Sequence, residues 1–175
     1  MSIIAIDFEA SCLPRHGRSY PIEVGVSSIH GTRNWIIAPH PLWDGWDWTA
    51  QAEALHGISR AKVAREGLPA AQVWSELVAA IGPMRPVADS RIDQYWMDLL
   101  AQAAGAQTSL TIDHVATLMD EWRVDESMIA QAVATADRAY PFRHRAAADA
   151  RWLAAVIGGL RPAPSGMAME RELAE

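Results

Sequence analysis

The chain opens on a short apolar run, Ile3-Ile4-Ala5-Ile6, rich in β-branched side chains and followed by acids and then Pro14, a pattern that predicts a buried strand. From Ile22 to Ile29, apolar Ile22, Val24 and Val26 alternate with Glu23, Gly25 and Ser27. That alternation predicts a second strand, half-buried, with one polar face. His30-Gly31-Thr32 marks a turn, and Trp35-Ile36-Ile37-Ala38 predicts a third strand running up to Pro39 and Pro41. Three strands with short connections make an antiparallel meander.

Beyond position 50 the period changes from two to about 3.6. Ala50 to Leu55 predicts a short helix ended by His56-Gly57. Ala70 to Ile81 carries Val73, Trp74, Leu77, Val78 and Ile81 at helical spacing and stops at Gly82-Pro83. Pro86-Val87-Ala88 predicts a short strand, followed by a helix from Ile92 to Ala104. Leu110 to Ile112 predicts a fifth strand, and two helices are expected over Glu126 to Ala136 and His144 to Leu160. Strands first, then strands interleaved with helices, predict one α/β domain with a mixed five-stranded sheet over residues 1–161. The small, polar stretch 162–175 is expected to be a C-terminal tail.

Half of the 175 residues are hydrophobic, enough to bury a core without disulfides or a structural metal. The single cysteine, Cys12, points to a reducing, cytoplasmic setting. No apolar run approaches the ~18 residues of a membrane span, and no signal-peptide pattern opens the chain, so no membrane association is expected. Fifteen basic against 21 acidic residues give a net charge of −6, with Lys62 the sole lysine. That balance argues against a grip on duplex DNA by phosphate neutralisation. Eight tryptophans stand against two phenylalanines, and Trp43, Trp46 and Trp48 crowd into six residues. Such indoles either stack on bases or pack a loop onto the domain.

Candidate chemistry sits on the acids. Asp7 and Glu9 are two apart on the first strand, so their carboxylates share a face while Phe8 turns to the other. Side by side they repel, and a hard divalent cation with a preference for oxygen ligands relieves that repulsion; the alternative is a pair that simply ends the strand in water. His144 and Asp149 stand five apart, which places them about 140° apart on an ideal helix. They meet only if His144 lies on the loop before the helix, and Pro141 just upstream favours that placement. Asp89 and Asp93 lie near the end of the Pro86–Ala88 strand, where ligands of open α/β sheets gather. Asp89 reads best as a turn or helix-cap residue.

In this order and context the residues resemble the DEDD 3′–5′ exonuclease superfamily of the ribonuclease-H-like fold, in its histidine variant (DEDDh). Asp7 and Glu9 within Ile4-Ala5-Ile6-Asp7-Phe8-Glu9-Ala10 match its first motif, Ile92-Asp93 its second, and His144 with Asp149 its third; the tyrosine variant would need Tyr where Arg145 stands. Pro21-Ile22-Glu23-Val24-Gly25 is similar to the family's second strand and Leu55-His56-Gly57-Ile58 to its helix-end turn. Asp89 departs from the pattern, which usually has Asn three or four residues before the second-motif Asp.

The resemblance implies a ribonuclease-H-like α/β fold and a metal-dependent exonuclease that releases nucleoside 5′-monophosphates from the 3′ end of short single-stranded RNA or DNA. It implies two Mg²⁺ or Mn²⁺ ions held by Asp7, Glu9, Asp93 and Asp149, with Asp7 shared between them, and His144 as general base. Phe8, Ala10, Tyr20, Leu55 and His56 are the expected substrate contacts. Several members of that family pair, so by analogy a homodimer is the suggested assembly. Two rivals stand beside this reading: a phosphohydrolase of small nucleotide-like substrates, which suits the sparse basic residues, and a nucleic-acid-binding module with a degraded site.

Overall fold

The computed structural model describes residues 2–160 as five strands and seven helices. The tail expected over 162–175 lies outside the described residues. Strands β1 (Ile3–Ala10), β2 (Pro21–Ser28), β3 (Gly31–Ile36), β4 (Arg85–Ala88) and β5 (Asp113–His114) form one sheet in the order β3-β2-β1-β4-β5. The pairs β1–β2 and β2–β3 are antiparallel, while β1–β4 and β4–β5 are parallel, so the sheet is mixed and five-stranded as expected.

The two faces of β1 go to different cores. Ile4, Ile6, Phe8 and Ala10 pack with Val24 and Val26 against α3 (Ala70–Ile81) and α4 (Asp93–Ala103), through Val73, Leu77, Met97 and Leu100. Ala5, on the other face, joins Val87 and is covered by α5 (Val115–Trp122) and α7 (Ala146–Leu160), through Leu118, Leu153 and Ile157. Helix α6 (Glu126–Ala139) lies outside α7, with Ala132 and Ala136 against Val156 and Leu160. Among the described residues no helix is long and apolar enough to cross a membrane.

The expected half-buried β2 is instead buried on both faces over residues 21–27. Its polar set, Glu23, Gly25 and Ser27, faces the protein, because the first turn of α7 lies across it. Glu23 is fully buried and saturated: it accepts from Asn34 Nδ2 at 2.9 Å, Arg145 Nη2 at 2.6 Å, Arg145 Nε at 3.0 Å and the Ala146 backbone N–H at 3.1 Å. A carboxylate at the start of a helix, paired with a guanidinium, offsets the cost of its burial. Gly25 sets the approach distance, since a Cβ there would lie 2.4 Å from the Ala146 carbonyl carbon. Alternation shows that a face is small and polar; it does not show what covers it.

Two other boundaries differ. The fifth strand is Asp113–His114 rather than Leu110–Ile112, because the Gln94 side chain takes the earlier backbone groups: its Oε1 accepts from Ile112 N–H at 2.7 Å and its Nε2 donates to Leu110 O at 3.0 Å. Strand β3 begins at Gly31 rather than Trp35. Thr32, Arg33 and Asn34 form a sheet edge and carry no apolar signal, while Ile37 leaves the strand to bridge Leu68. Helices α2 (Arg60–Glu66) and α5 went unseen in the hydrophobic pattern; α2 buries only Val63, and both start on local caps, Ser59 Oγ accepting from Lys62 N–H and His114 Nδ1 from Ala116 N–H. The last helix starts at Ala146, which leaves His144 on the preceding loop.

Gly25→Ala is expected to destabilise the protein by about 1–3 kcal/mol, because the α7 backbone must give way. Gly158→Ala, in a helix interior with open space around it, is expected to stabilise it by up to ~1 kcal/mol. Urea unfolding of both variants checks the pair of opposite signs.

Candidate metal centre

Asp7 and Glu9 leave β1 on the α7 face, and a register irregularity between Glu9 and Ala10 marks where the strand bends at this point. Asp149, in the first turn of α7, comes up beside them. One oxygen from each of Asp7, Glu9 and Asp149 lies within 4.8 Å of the others, and the same holds for Asp7, Asp89 and Asp93. Asp7 is therefore common to two adjacent carboxylate triads. The structure brings together the four acids singled out in the sequence and adds Asp89 as a fifth.

Each acid is fixed by a local contact. Asp149 accepts from the backbone N–H of His144 at 2.7 Å and of Arg145 at 3.1 Å, so it caps its own helix while facing the triad. Asp93 opens α4, is 1% exposed, and receives the Phe8 backbone N–H. Asp89, expected as a turn or helix-cap residue, lies in the bend after β4, and none of the described hydrogen bonds joins its carboxylate to a helix N–H. Its backbone carbonyl lies 3.0 Å from His114 Nε2, and its side chain is left to the triad.

Crowding is visible in the protonation equilibria. Burial, then the charge of Asp93, then those of Glu9, Asp149 and Asp89, hold the Asp7 carboxyl well above the usual carboxylate range. Burial, with Asp149 and Glu23, pushes Glu9 up to about 8 against the partial relief of Arg145. Burial and Asp89 push Asp93 up to about 8. Asp93 Oδ2 is buried with no hydrogen-bond partner. Oxygen-only donor sets, an orphaned buried carboxylate oxygen and mutually repelling acids all fit a hard divalent cation. Mg²⁺ suits such a set as well as Mn²⁺.

Arg143 holds part of this charge. Its Nε bonds Asp149 Oδ1, its Nη2 lies 4.0 Å from Asp89 Oδ2, and its guanidinium sits 3.9 Å from the centroid of the Trp152 ring. Nothing in the spacing of the sequence singles Arg143 out; its stacking partner is nine residues on, one helix later. His144 follows at φ +67°, a left-handed conformation unusual outside glycine, with its side chain exposed. Asp149 stabilises that turn through the His144 N–H.

A pocket of about 120 Å³ opens beside Glu9. Phe8, Ala10, Leu55 and His56, four of the five expected substrate contacts, line it together with Cys12, Leu13, His16, Thr49 and Trp96. Leu55 is 57% exposed for an apolar side chain. His56 Nδ1 accepts from Ile58 N–H at 3.0 Å, so the neutral ring carries its proton on Nε2, which is buried and makes no hydrogen bond. Burial also lowers the His56 pKa, which keeps the ring neutral. The fifth expected contact, Tyr20, lines a different cavity with Trp43, Trp46 and Trp48.

No protein-family model and no curated protein matches the sequence. The fold does match solved structures. The nuclease domain of 3'hExo, a DEDDh family member, bound to rAMP, superposes at a TM-score of 0.67 with 18% identity, over 89% of this chain and 88% of that one. A 3'-exonuclease in a structure of 3'-end specific recognition of histone mRNA stem-loop gives 0.63 at 17% identity, over 89% and 79%. Exonuclease I from Methylocaldum szegediense gives 0.61 at 16% identity, over 91% of this chain but 40% of its own. The α/β fold is that of the DEDDh 3′-exonucleases and exonuclease I.

Two outcomes are expected. Because Glu9 and Asp93 bind protons more tightly folded than unfolded, metal-free protein should be most stable near pH 4–5 and lose Tm as pH rises toward and through about 8. Millimolar Mg²⁺ or Mn²⁺ should restore Tm at pH 8, read by calorimetry. Arg143→Gln should lower the Tm of metal-free protein and tighten Mn²⁺ binding severalfold by calorimetric titration, since a resident countercharge is gone.

Proposed function

We propose that this chain is a metal-dependent 3′–5′ exonuclease that shortens single-stranded RNA or DNA to nucleoside 5′-monophosphates. The observation that carries the reading is the pair of carboxylate triads sharing Asp7. Two divalent ions, Mg²⁺ or Mn²⁺, would supply there the acidity that makes water a nucleophile and the charge that the scissile phosphate and leaving oxygen require. Asp7, Glu9 and Asp149 would hold one ion, and Asp7 and Asp93, with Asp89 beside them, would hold the other.

The chain's own groups do the rest. His144, exposed on a loop anchored by Asp149, accepts the proton from the attacking water as general base. The pocket beside Glu9 receives the terminal nucleoside. Phe8 and Leu55 offer apolar contact to its base, and Thr49 offers a polar contact within the same walls. Short-range capture of one strand end explains how a protein with net charge −6 handles a polyanion: the acids take the metals, and a few arginines suffice for the strand.

A phosphohydrolase of small nucleotide-like molecules is the second reading. One observation favours it: the pocket beside Glu9 is lined by neither lysine nor arginine.

A 5′-labelled RNA and a 5′-labelled DNA oligonucleotide, each incubated with Mg²⁺ or Mn²⁺, should give a ladder shortening from the 3′ end. The ladder should vanish in Asp7→Asn and slow by ~10²–10⁴-fold in His144→Ala. Asp93→Asn should abolish it as well; loss in Asp89→Asn alone would transfer the fourth ligand role to Asp89. No shortening of either strand with either metal refutes the exonuclease, and release of phosphate or nucleoside from small nucleotides would then establish the second reading.

A further inference from the structure

The bend between β4 and α4 carries Asp89, and the strand beside it supplies a contact that holds the bend. In the parallel pairing of β4 with β5, Val87 stands against Asp113 and Ala88 against His114, so His114 lies next to the first residue that leaves the sheet. Both nitrogens of its ring are engaged. Nδ1 accepts the backbone N–H of Ala116, in the first turn of α5, at 3.2 Å, and Nε2 lies 3.0 Å from the Asp89 carbonyl oxygen. An acceptor Nδ1 puts the proton of the neutral ring on Nε2, and there it donates to that carbonyl.

Among the described hydrogen bonds outside the helices and strands, no other group reaches the Asp89 carbonyl. Packing adds little, because a cavity of about 310 Å³ lies against the bend, with Ser90 and Arg91 on one side and Thr111 and His114 on another. The ring is therefore a strut between the start of α5 and the bend after β4. With both nitrogens given to backbone groups, it is itself neither a metal ligand nor a base.

The Asp89 side chain points the strut's effect at the acids. One of its oxygens lies within 4.8 Å of oxygens of Asp7 and Asp93, and Arg143 Nη2 stands 4.0 Å from its Oδ2. Asp93 is 1% exposed and its Oδ2 has no hydrogen-bond donor, so the triad contains a carboxylate oxygen that no protein group serves. Oxygens this close need only a small contraction to ligate Mg²⁺ at ~2.1 Å. Mg²⁺ is commonly held by one or two carboxylates and completed by the phosphates of a substrate. A third carboxylate fixed in place removes that dependence. We propose that His114 is a positioning residue that fixes Asp89 as a direct ligand, so that Asp7, Asp89 and Asp93 hold their ion without nucleic acid. The inference rests on the two-ion reading above and deepens it: the protein meets a strand end with both ions already bound.

The test is Mn²⁺ titration of the metal-free protein with no nucleic acid present, free Mn²⁺ being read by electron paramagnetic resonance. Two ions should bind. Glu9→Gln weakens the ion of the Asp7, Glu9 and Asp149 triad and so identifies the other. His114→Asn keeps an oxygen to cap α5 but is too short to reach the Asp89 carbonyl. It should raise the Kd of the ion at Asp7, Asp89 and Asp93 by ~10–100-fold and leave that of the other ion unchanged. Asp89→Asn should weaken the same ion, and His114→Asn added to it should cost nothing more. A single bound ion in the wild type, an unchanged Kd in His114→Asn, an equal loss at both ions, or additive losses in the double variant overturns the proposal. In each of those cases a 3′-end ladder from the wild type leaves the exonuclease standing. Absence of the ladder overturns the exonuclease reading itself, whatever the titration gives.

Discussion

Like charge held at short range is the constraint on which this molecule is built. Five carboxylates converge at the ends of β1 and β4 and the starts of α4 and α7, four of them with pKa values driven upward by burial and by one another. Left alone, such a cluster opposes folding. The protein meets it with three kinds of relief: the guanidinium of Arg143, backbone N–H groups of Phe8, His144 and Arg145, and retained protons on Glu9 and Asp93. Of these, the guanidinium and the protons are the countercharges a divalent cation would displace, while the N–H groups belong to β1 and to the start of α7.

This division of labour shows in how the parts are anchored. The acids stand on β1, on the first turns of α4 and α7, and on the turn that closes β4, all packed on one of the two cores. His144 stands between Arg143, bound to Asp149 and stacked on Trp152, and Arg145, clamped to Glu23, so its backbone is fixed and freedom is left to its exposed side chain. The aromatic connection between β3 and α1 (Ala50–His56) belongs to the rigid part: Trp48 is tied to Glu53, and Thr49 caps α1.

Much of this was legible in the chain. Asp7 and Glu9 were readable as a pair from a strand's period of two, and the loop position of His144 from Pro141, whereas Asp93, Asp149 and the role of His144 were singled out by the resemblance to the DEDD motifs. Asp89 was not, since an Asp after a strand looks the same whether it caps a helix or faces a metal. Glu23 was read as the polar face of a strand; only the arrival of α7 from 122 residues away turns it into a buried, saturated carboxylate. Arg143 carries no periodic signal at all. Helix α2, with one buried residue, and the short β5, whose neighbouring backbone is satisfied by Gln94, show the same limit: where side chains or single contacts replace a repeating pattern, sequence periodicity is silent.

The clamp between Glu23 and the start of α7 also has a temporal meaning. Its partners are separated by 122 residues, so the loop between them must close before Asp149 can stand beside Asp7. Contacts of such range form slowly and carry a high entropic cost until the intervening core exists. During synthesis the meander and α3 can collapse on one face of the sheet while the other awaits the last helix. The emerging chain can therefore gather Asp7, Asp89 and Asp93 first, and the second carboxylate triad, with Glu9 and Asp149, closes only when α7 arrives.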